Sequence, residues 1–229
     1  MKFNYLFVSL FLVSFLFSCD KDETPQATAS VKVIHASPDA PGVDLLINNL
    51  KVNTAALLFP EATGYLTVFA GTRNIKVNAA GSTTSVINAD LTFMADKYYS
   101  VFAYNRLATI GAFMVEDNLA APAAGQAHIR FFHLSPDAPV VTVGTLSGTT
   151  FTPVFSNRSF ETQATASANQ NFTPVAAGTY TFDVQANGSS VLNLPNIVLQ
   201  AGKIYTVFAK GLVGGTGVQA LGAQIVTHN

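Results

Sequence analysis

The chain has 229 residues, 49% of them hydrophobic and only 11% charged, with a formal net charge of −1 at neutral pH. Apolar content at that level excludes intrinsic disorder, which needs low hydrophobicity. The length suffices for one large domain or two of about 100 residues, either able to bury a core without disulfides. Its basic residues form no cluster, which argues against a nucleic-acid partner, since a phosphate backbone is held by grouped cations.

The N-terminus reads MKFNYLFVSLFLVSFLFSC. Lys2 supplies a positive end, and Leu6 to Phe17 is an unbroken run of apolar residues and serines. The run is shorter than the roughly 20 residues of a spanning helix and suits the apolar region of a secretory signal, here residues 1–18. Cys19 follows directly and is the only cysteine, so an internal disulfide is ruled out. The segment resembles a bacterial lipobox, which implies that Cys19 is the lipidated first residue of the mature chain. Phe17 departs from the small residue usual there, and an ordinary signal peptide with an incidental cysteine is the alternative. Acyl chains contribute about 0.8 kcal/mol per buried methylene, so two or more anchor firmly. Asp20-Lys21-Asp22-Glu23 resembles the acidic export signal of Bacteroidetes surface lipoproteins, which implies the outer face of the outer membrane. Retention at the inner membrane or on the periplasmic face is the alternative. Residues 19–30 then read as a flexible acidic tether.

Beyond it, one unit is written twice. Val33 to Pro41, VIHASPDAP, returns as FFHLSPDAP at Phe131 to Pro139. GTRNIKVNAAGS from Gly71 returns as GTYTFDVQANGS from Gly178, and ADKYYSVFA from Ala95 as AGKIYTVFA from Ala201. ATIGAFMV from Ala108 is echoed by QALGAQIV from Gln219. A period near a hundred residues is that of a domain, not of a solenoid repeat of about 20–50. Residues 31–115 and 127–229 are therefore expected as two domains, with 116–126 as linker. Each reads as short strands rich in Val, Ile, Phe, Tyr and Thr between turn residues. The clearest hairpin is Thr179 to Leu194, where Tyr180, Phe182 and Val184 share a face and Asn187-Gly188 supplies the turn. Tyr98 to Tyr104 is apolar on both faces, as a central strand would be. The fold class expected is all-β: two tandem antiparallel β-sandwiches, immunoglobulin-like or similar. Strand order is not legible.

HxSPDAP opening a β unit, followed by a Gly-Thr strand and a Y-x-V-F-A strand, resembles the family catalogued as domain of unknown function 4397. The resemblance covers nearly the whole mature chain as two copies. It implies a secreted or lipid-anchored bacterial protein and leaves the activity open. Copy one continues Pro41-Gly42-Val43-Asp44, matching the family's Val-Asp, whereas copy two has Pro139-Val140-Val141-Thr142.

The motif residues are His35, Ser37, Pro38, Asp39, Pro41 and Asp44 in copy one, and His133, Ser135, Pro136, Asp137 and Pro139 in copy two. As a metal site they are poor. His35, Asp39 and Asp44 give three ligands at most, and copy two offers only His133 and Asp137 against the three or four that zinc takes. His128 and His133 lie on opposite faces of one strand. As a catalytic site, Ser37 with His35 and Asp39 crowds triad residues that normally converge from separate segments. The structural reading is the stronger. Each histidine ends an apolar stripe (Val31, Val33, His35; Ile129, Phe131, His133). Ser-Pro-Asp fits a turn with Pro at its second position, and Asp39 and Asp137 are expected to close Asx-type turns.

Copy two is longer in two places, Phe160 to Phe172 and Gly211 to Gly217, both expected as surface loops where a ligand site would sit. Glu116-Asp117-Asn118 is expected as solvated linker, with a Ca²⁺ site as the alternative. The function expected is a cell-surface lipoprotein of non-catalytic binding or structural type, without a cofactor or metal. Its partners are expected to be the outer membrane, through the lipid, and a protein or glycan at the cell surface. The alternatives are a glycan- or small-ligand-binding accessory lipoprotein, and a hydrolase using the His-x-Ser-Pro-Asp segment.

Overall fold

The computed structural model describes residues 25–229; the signal segment, Cys19 and the acidic cluster lie outside the described residues. The first unit holds β1 (Thr28–Ala36), β2 (Val43–Ile47), β3 (Leu50–Lys51), β4 (Leu66–Phe69), β5 (Gly71–Ala79), β6 (Ser85–Phe93), β7 (Tyr98–Tyr104) and β8 (Gly111–Glu116). The second holds β9 (Gln126–His133), β10 (Val141–Ser147), β11 (Thr150–Arg158), the short helix α1 (Gln163–Ala168), β12 (Thr173–Ala176), β13 (Gly178–Ala186), β14 (Ser189–Leu199), β15 (Ile204–Lys210) and β16 (Gly222–Thr227). Among the described residues no helix is long and apolar enough to cross a membrane.

Each unit is a two-sheet sandwich, as the strand pattern predicts, and the two repeat the same strand order. Sheets β4-β1-β7-β8 and β3-β2-β5-β6 form the first; β12-β9-β15-β16 and β11-β10-β13-β14 form the second. This order departs from the ABED and CFG sheets of immunoglobulin domains. Most pairings are antiparallel, but β1 runs parallel to β7 and β9 parallel to β15. A parallel pair needs a long crossover, and here the strands between them, most of them in the opposite sheet, provide it. Tyr98–Tyr104 is interior to its sheet, as its two apolar faces require. The hairpin between β13 and β14 turns on Asn187 and Gly188, both at positive φ.

Two boundaries differ from the sequence reading. Ala29 is buried in β1, so the first sandwich begins at Thr28 and not at Val31. Glu116 closes β8 and Gln126 opens β9, which shortens the linker at both ends. At the first boundary burial of Ala29 overrides a polar composition; at the second, strand pairing does, since Glu116 and Gln126 are only half-buried.

Strand alternation gives β1 and β9 two buried faces. Val31 and Val33 enter the first sandwich core, and Ile129 and Phe131 the second. The intervening Ile34, Ala36, Phe132 and Leu134 join a third core with Phe102, Phe113, Val115, Phe208 and Val226, in which the two units pack on each other. Two polar contacts in this interface are reciprocal. Lys32 Nζ donates to the Thr227 carbonyl at 2.7 Å, and Arg130, at the equivalent position of the second unit, donates to the Glu116 carbonyl at 3.4 Å. Thr227 and Glu116 are themselves equivalent, each ending the last strand of its unit. Reciprocity of this kind is the mark of an isologous, two-fold-like interface, here within one chain.

Candidate functional site

The two motif corners have nearly the same construction. His35 and His133 are fully buried, and each Nε2 faces a proline carbonyl: Pro41 at 3.0 Å and Pro139 at 2.9 Å. A carbonyl only accepts, so Nε2 carries the proton and Nδ1 is the lone-pair nitrogen. Burial holds both rings below the ordinary histidine pKa. Ser37 and Ser135 are also buried. Ser135 donates to the Gly211 carbonyl at 2.8 Å, whereas the Ser37 hydroxyl has no partner among the described residues.

The expected Asx turns give way to longer contacts. Asp39 Oδ1 accepts the Leu107 N–H at 2.7 Å, and Asp137 Oδ1 accepts the Val213 N–H at 3.0 Å. The parallel pairing explains this, because strands β1 and β7, or β9 and β15, end on the same side and bring their following loops together. His35 and Asp39 therefore bind different partners, the Pro41 carbonyl and the Leu107 N–H, and among the described residues no hydrogen bond joins the side chains of His35, Ser37 and Asp39. Asp44 is elsewhere, paired with Lys51 at 2.7 Å and accepting the Gly81 N–H at 3.1 Å. Pro38 and Pro136 shape the two turns. Among the described residues no group of three His, Cys, Asp or Glu side chains is placed to hold a metal.

The linker reading of Glu116-Asp117-Asn118 is overturned at its centre. Asp117 is buried and pairs with the fully buried Arg130 at 2.5 Å, so it is neither a solvated linker residue nor free for Ca²⁺. A closed hydrogen-bond ring surrounds the pair. Arg130 Nε donates to Thr206 Oγ1 at 2.8 Å, and Thr206 lies 2.7 Å from His228 Nε2. His228 Nδ1 lies 2.7 Å from the Tyr65 hydroxyl, which donates to Asp117 Oδ2 at 2.7 Å. Ser100 also donates to Asp117 Oδ2, at 2.8 Å. The one proton arrangement that satisfies every link has a neutral His228 protonated at Nδ1. Burial first, and then the nearby Arg130 and Lys32 charges, depress its pKa to about 3 against the pull of Asp117. Burial and the Asp117 charge raise the Tyr65 pKa, so that phenol stays a donor. The ring joins β9 and β15 to Tyr65, just before β4, and to Asp117 and His228, which follow β8 and β16, while Ser100 adds β7; it reads as structural glue. Its sequence signal is that Lys32 and Arg130 are the one Lys or Arg on their strands, at the same position of the repeat.

The second sandwich contains a cavity of about 380 Å³ between its sheets. Ile129, Phe131 and His133 line it from β9, Val141 and Val143 from β10, Leu192, Leu194 and Ile197 from β14, and Ala223 and Ile225 from β16. Among all its lining residues His133 has the only polar side chain. The opening has a physical origin. In the first unit the edge strands β6 and β8 touch, and Phe93 and Tyr99 stack edge-on at 5.4 Å to fill the interior. In the second unit Leu199 stands where Phe93 does, and β14 and β16 both contribute lining residues to a gap. Val213, from the longer Gly211 to Gly217 loop, also lines the cavity, so one of the two expanded loops does border the candidate site. The other, Phe160 to Phe172, instead carries α1, capped by Thr162. Its Gln163 binds the backbone of Met114 on β8, so that loop cements the interface between units.

No curated protein matches the chain. The family model described as Domain of unknown function (DUF4397) matches residues 29–144, the first sandwich together with β9 and the start of β10. That span is just over half of the chain and contains both His-x-Ser-Pro-Asp-Ala-Pro corners whose buried histidines bind proline carbonyls. The chain belongs to this family.

Proposed function

We propose that the protein is a non-catalytic, lipid-anchored binding protein of the bacterial cell surface. Its two sandwiches are two copies of the family unit, and the second takes up a small, largely apolar molecule. The observation that carries the reading is the cavity itself. Protein interiors are close-packed, and about 380 Å³ of apolar space lies within the 300–1,000 Å³ range of small-molecule sites. The wall chemistry selects among the expected partners. A glycan or a peptide backbone would bring hydroxyls or amides that these walls leave unpaired, at a cost of several kcal/mol each. An apolar body loses nothing there.

The tandem-copy assignment is supported by the identical strand order and the near-identical corners. The anchor and its destination rest on the lipobox-like segment ending at Cys19 and on the acidic residues that follow. They are tested by labelling with a radioactive fatty acid and by protease treatment of intact cells. Label should be lost in Cys19→Ser, and the protease should reach the chain without lysis.

The binding reading is tested by titrating the protein with N-phenyl-1-naphthylamine, an apolar dye whose fluorescence rises out of water. Saturable one-to-one binding that disappears in Ala223→Phe supports it, because the new ring would occupy the cavity. An absence of saturable binding to the parent protein refutes it.

A further inference from the structure

We propose that His133 is the polar anchor of the cavity and that the ligand is a neutral amphipathic molecule carrying a hydroxyl, whose proton is donated to His133 Nδ1. This rests on the cavity reading above and narrows it to a ligand class.

Besides their serines, the two corners differ at one histidine atom. In the first unit, where the sandwich is closed, the Ser37 N–H approaches His35 Nδ1 at 3.4 Å. In the second, His133 Nδ1 has no hydrogen-bond partner among the described residues, although the residue is fully buried. Its Nε2 proton is already committed to the Pro139 carbonyl, so Nδ1 offers a lone pair and nothing else. Buried polar atoms are almost always paired, and the unpaired one here belongs to the only polar side chain on the cavity wall. A hydroxyl entering with a hydrocarbon body would satisfy it.

The same geometry sets what is refused. An ionised carboxylate has no proton to donate to a lone pair, and it would bring an unpaired charge into an apolar enclosure. The buried Glu161, whose charge is felt at His133, adds repulsion. An ether of the same chain fills the space but leaves Nδ1 orphaned. The cavity runs along β9 from Ile129 to His133, about 13 Å at the rise of a strand, which suits an extended chain with its head at the histidine end.

The test is displacement of N-phenyl-1-naphthylamine from the full chain by 1-decanol, decyl methyl ether and decanoate. Decanol is expected to compete roughly tenfold better than the ether, as one buried hydrogen bond provides, and decanoate worse than either. In His133→Phe the alcohol and the ether become equal. The nitrogen-15 resonance of His133 Nδ1 in the parent protein should shift with decanol and not with the ether, while that of His35 stays put. That readout needs no variant to fold. Equal competition by alcohol and ether, an unmoved Nδ1 resonance, or an ordered water found bridging Nδ1 to protein would each overturn the anchor and leave the cavity standing. Failure of all three compounds to displace the dye would overturn the cavity reading itself.

Discussion

Arg130 and Asp117 form an ion pair with no solvent exposure, 2.5 Å apart, between β9 of the second sandwich and the residue that follows β8 of the first. Breaking such a pair from one side leaves a buried charge and costs about 3–5 kcal/mol, whereas replacing both partners with apolar groups costs far less. Asp117→Ala is therefore expected to lower the urea-unfolding free energy by that amount. The double variant Asp117→Ala with Arg130→Met should recover a large part of it.

The His228 ring predicts the direction of pH dependence. The unfolded chain takes up a proton near the ordinary histidine value of 6.5, whereas folded His228 does so only near about 3. A folded pKa below the unfolded one means that the stabilisation is complete above about pH 6.5 and is lost as pH falls toward 3. The slope is about 1.4 kcal/mol per pH unit for one such group. His35 and His133 are shifted in the same direction and steepen the loss. Denaturant melts at pH 7, 6, 5 and 4 should show it, with a shallower slope in His228→Gln.

Asp39 and Asp137 should behave alike despite their different settings. Each holds one backbone N–H of a distant loop, so Asp39→Ala and Asp137→Ala are each expected to cost about 1 kcal/mol. Amide hydrogen exchange locates the effect: Leu107 should lose protection in the first variant and Val213 in the second. A change confined to the mutated turn would mean that the cross-loop bonds do not hold in solution.

Gly211 tests the rim of the cavity. Its φ is +83°, and a side-chain carbon there would overlap the Ala220 carbonyl. Gly211→Ala is expected to destabilise the protein by more than 1 kcal/mol and to weaken dye binding through the displaced Val213. The same substitution at Gly214, where a side-chain carbon meets nothing within 4 Å, carries only the strain of its φ.

The fold was largely legible because β periodicity and repetition are local signals. Tyr180, Phe182 and Val184 announced a one-sided strand, and Asn187-Gly188 its turn. Strand order was not, because parallel pairing of β1 with β7 joins residues some 68 apart and leaves no pattern in either strand. The corners are legible as scaffold, but the local pattern points Asp39 and Asp137 to turns of their own, whereas their partners lie across that same parallel pairing. Asp117 is not legible because a carboxylate among Glu, Asn, Ala and Pro looks solvated until Arg130 is placed beside it. The cavity has no sequence signature at all: it arises from Leu199 in place of Phe93 and from edge strands β14 and β16 that pack less closely than β6 and β8 do. Both are differences of packing between units whose patterns are alike.

The most direct measurement compares the two sandwiches within one molecule. Methyl-resolved NMR of the full chain is recorded during titration with 1-decanol. Val143, Leu192 and Ile225 line the cavity; Leu45, Ile87 and Met114 are their counterparts in the closed first unit and belong to or pack on its core. Saturable shifts at the first three, with the second three unmoved, are the result predicted here. Shifts shared equally by both units, or confined to exposed methyls such as Val198 and Leu50, would contradict it.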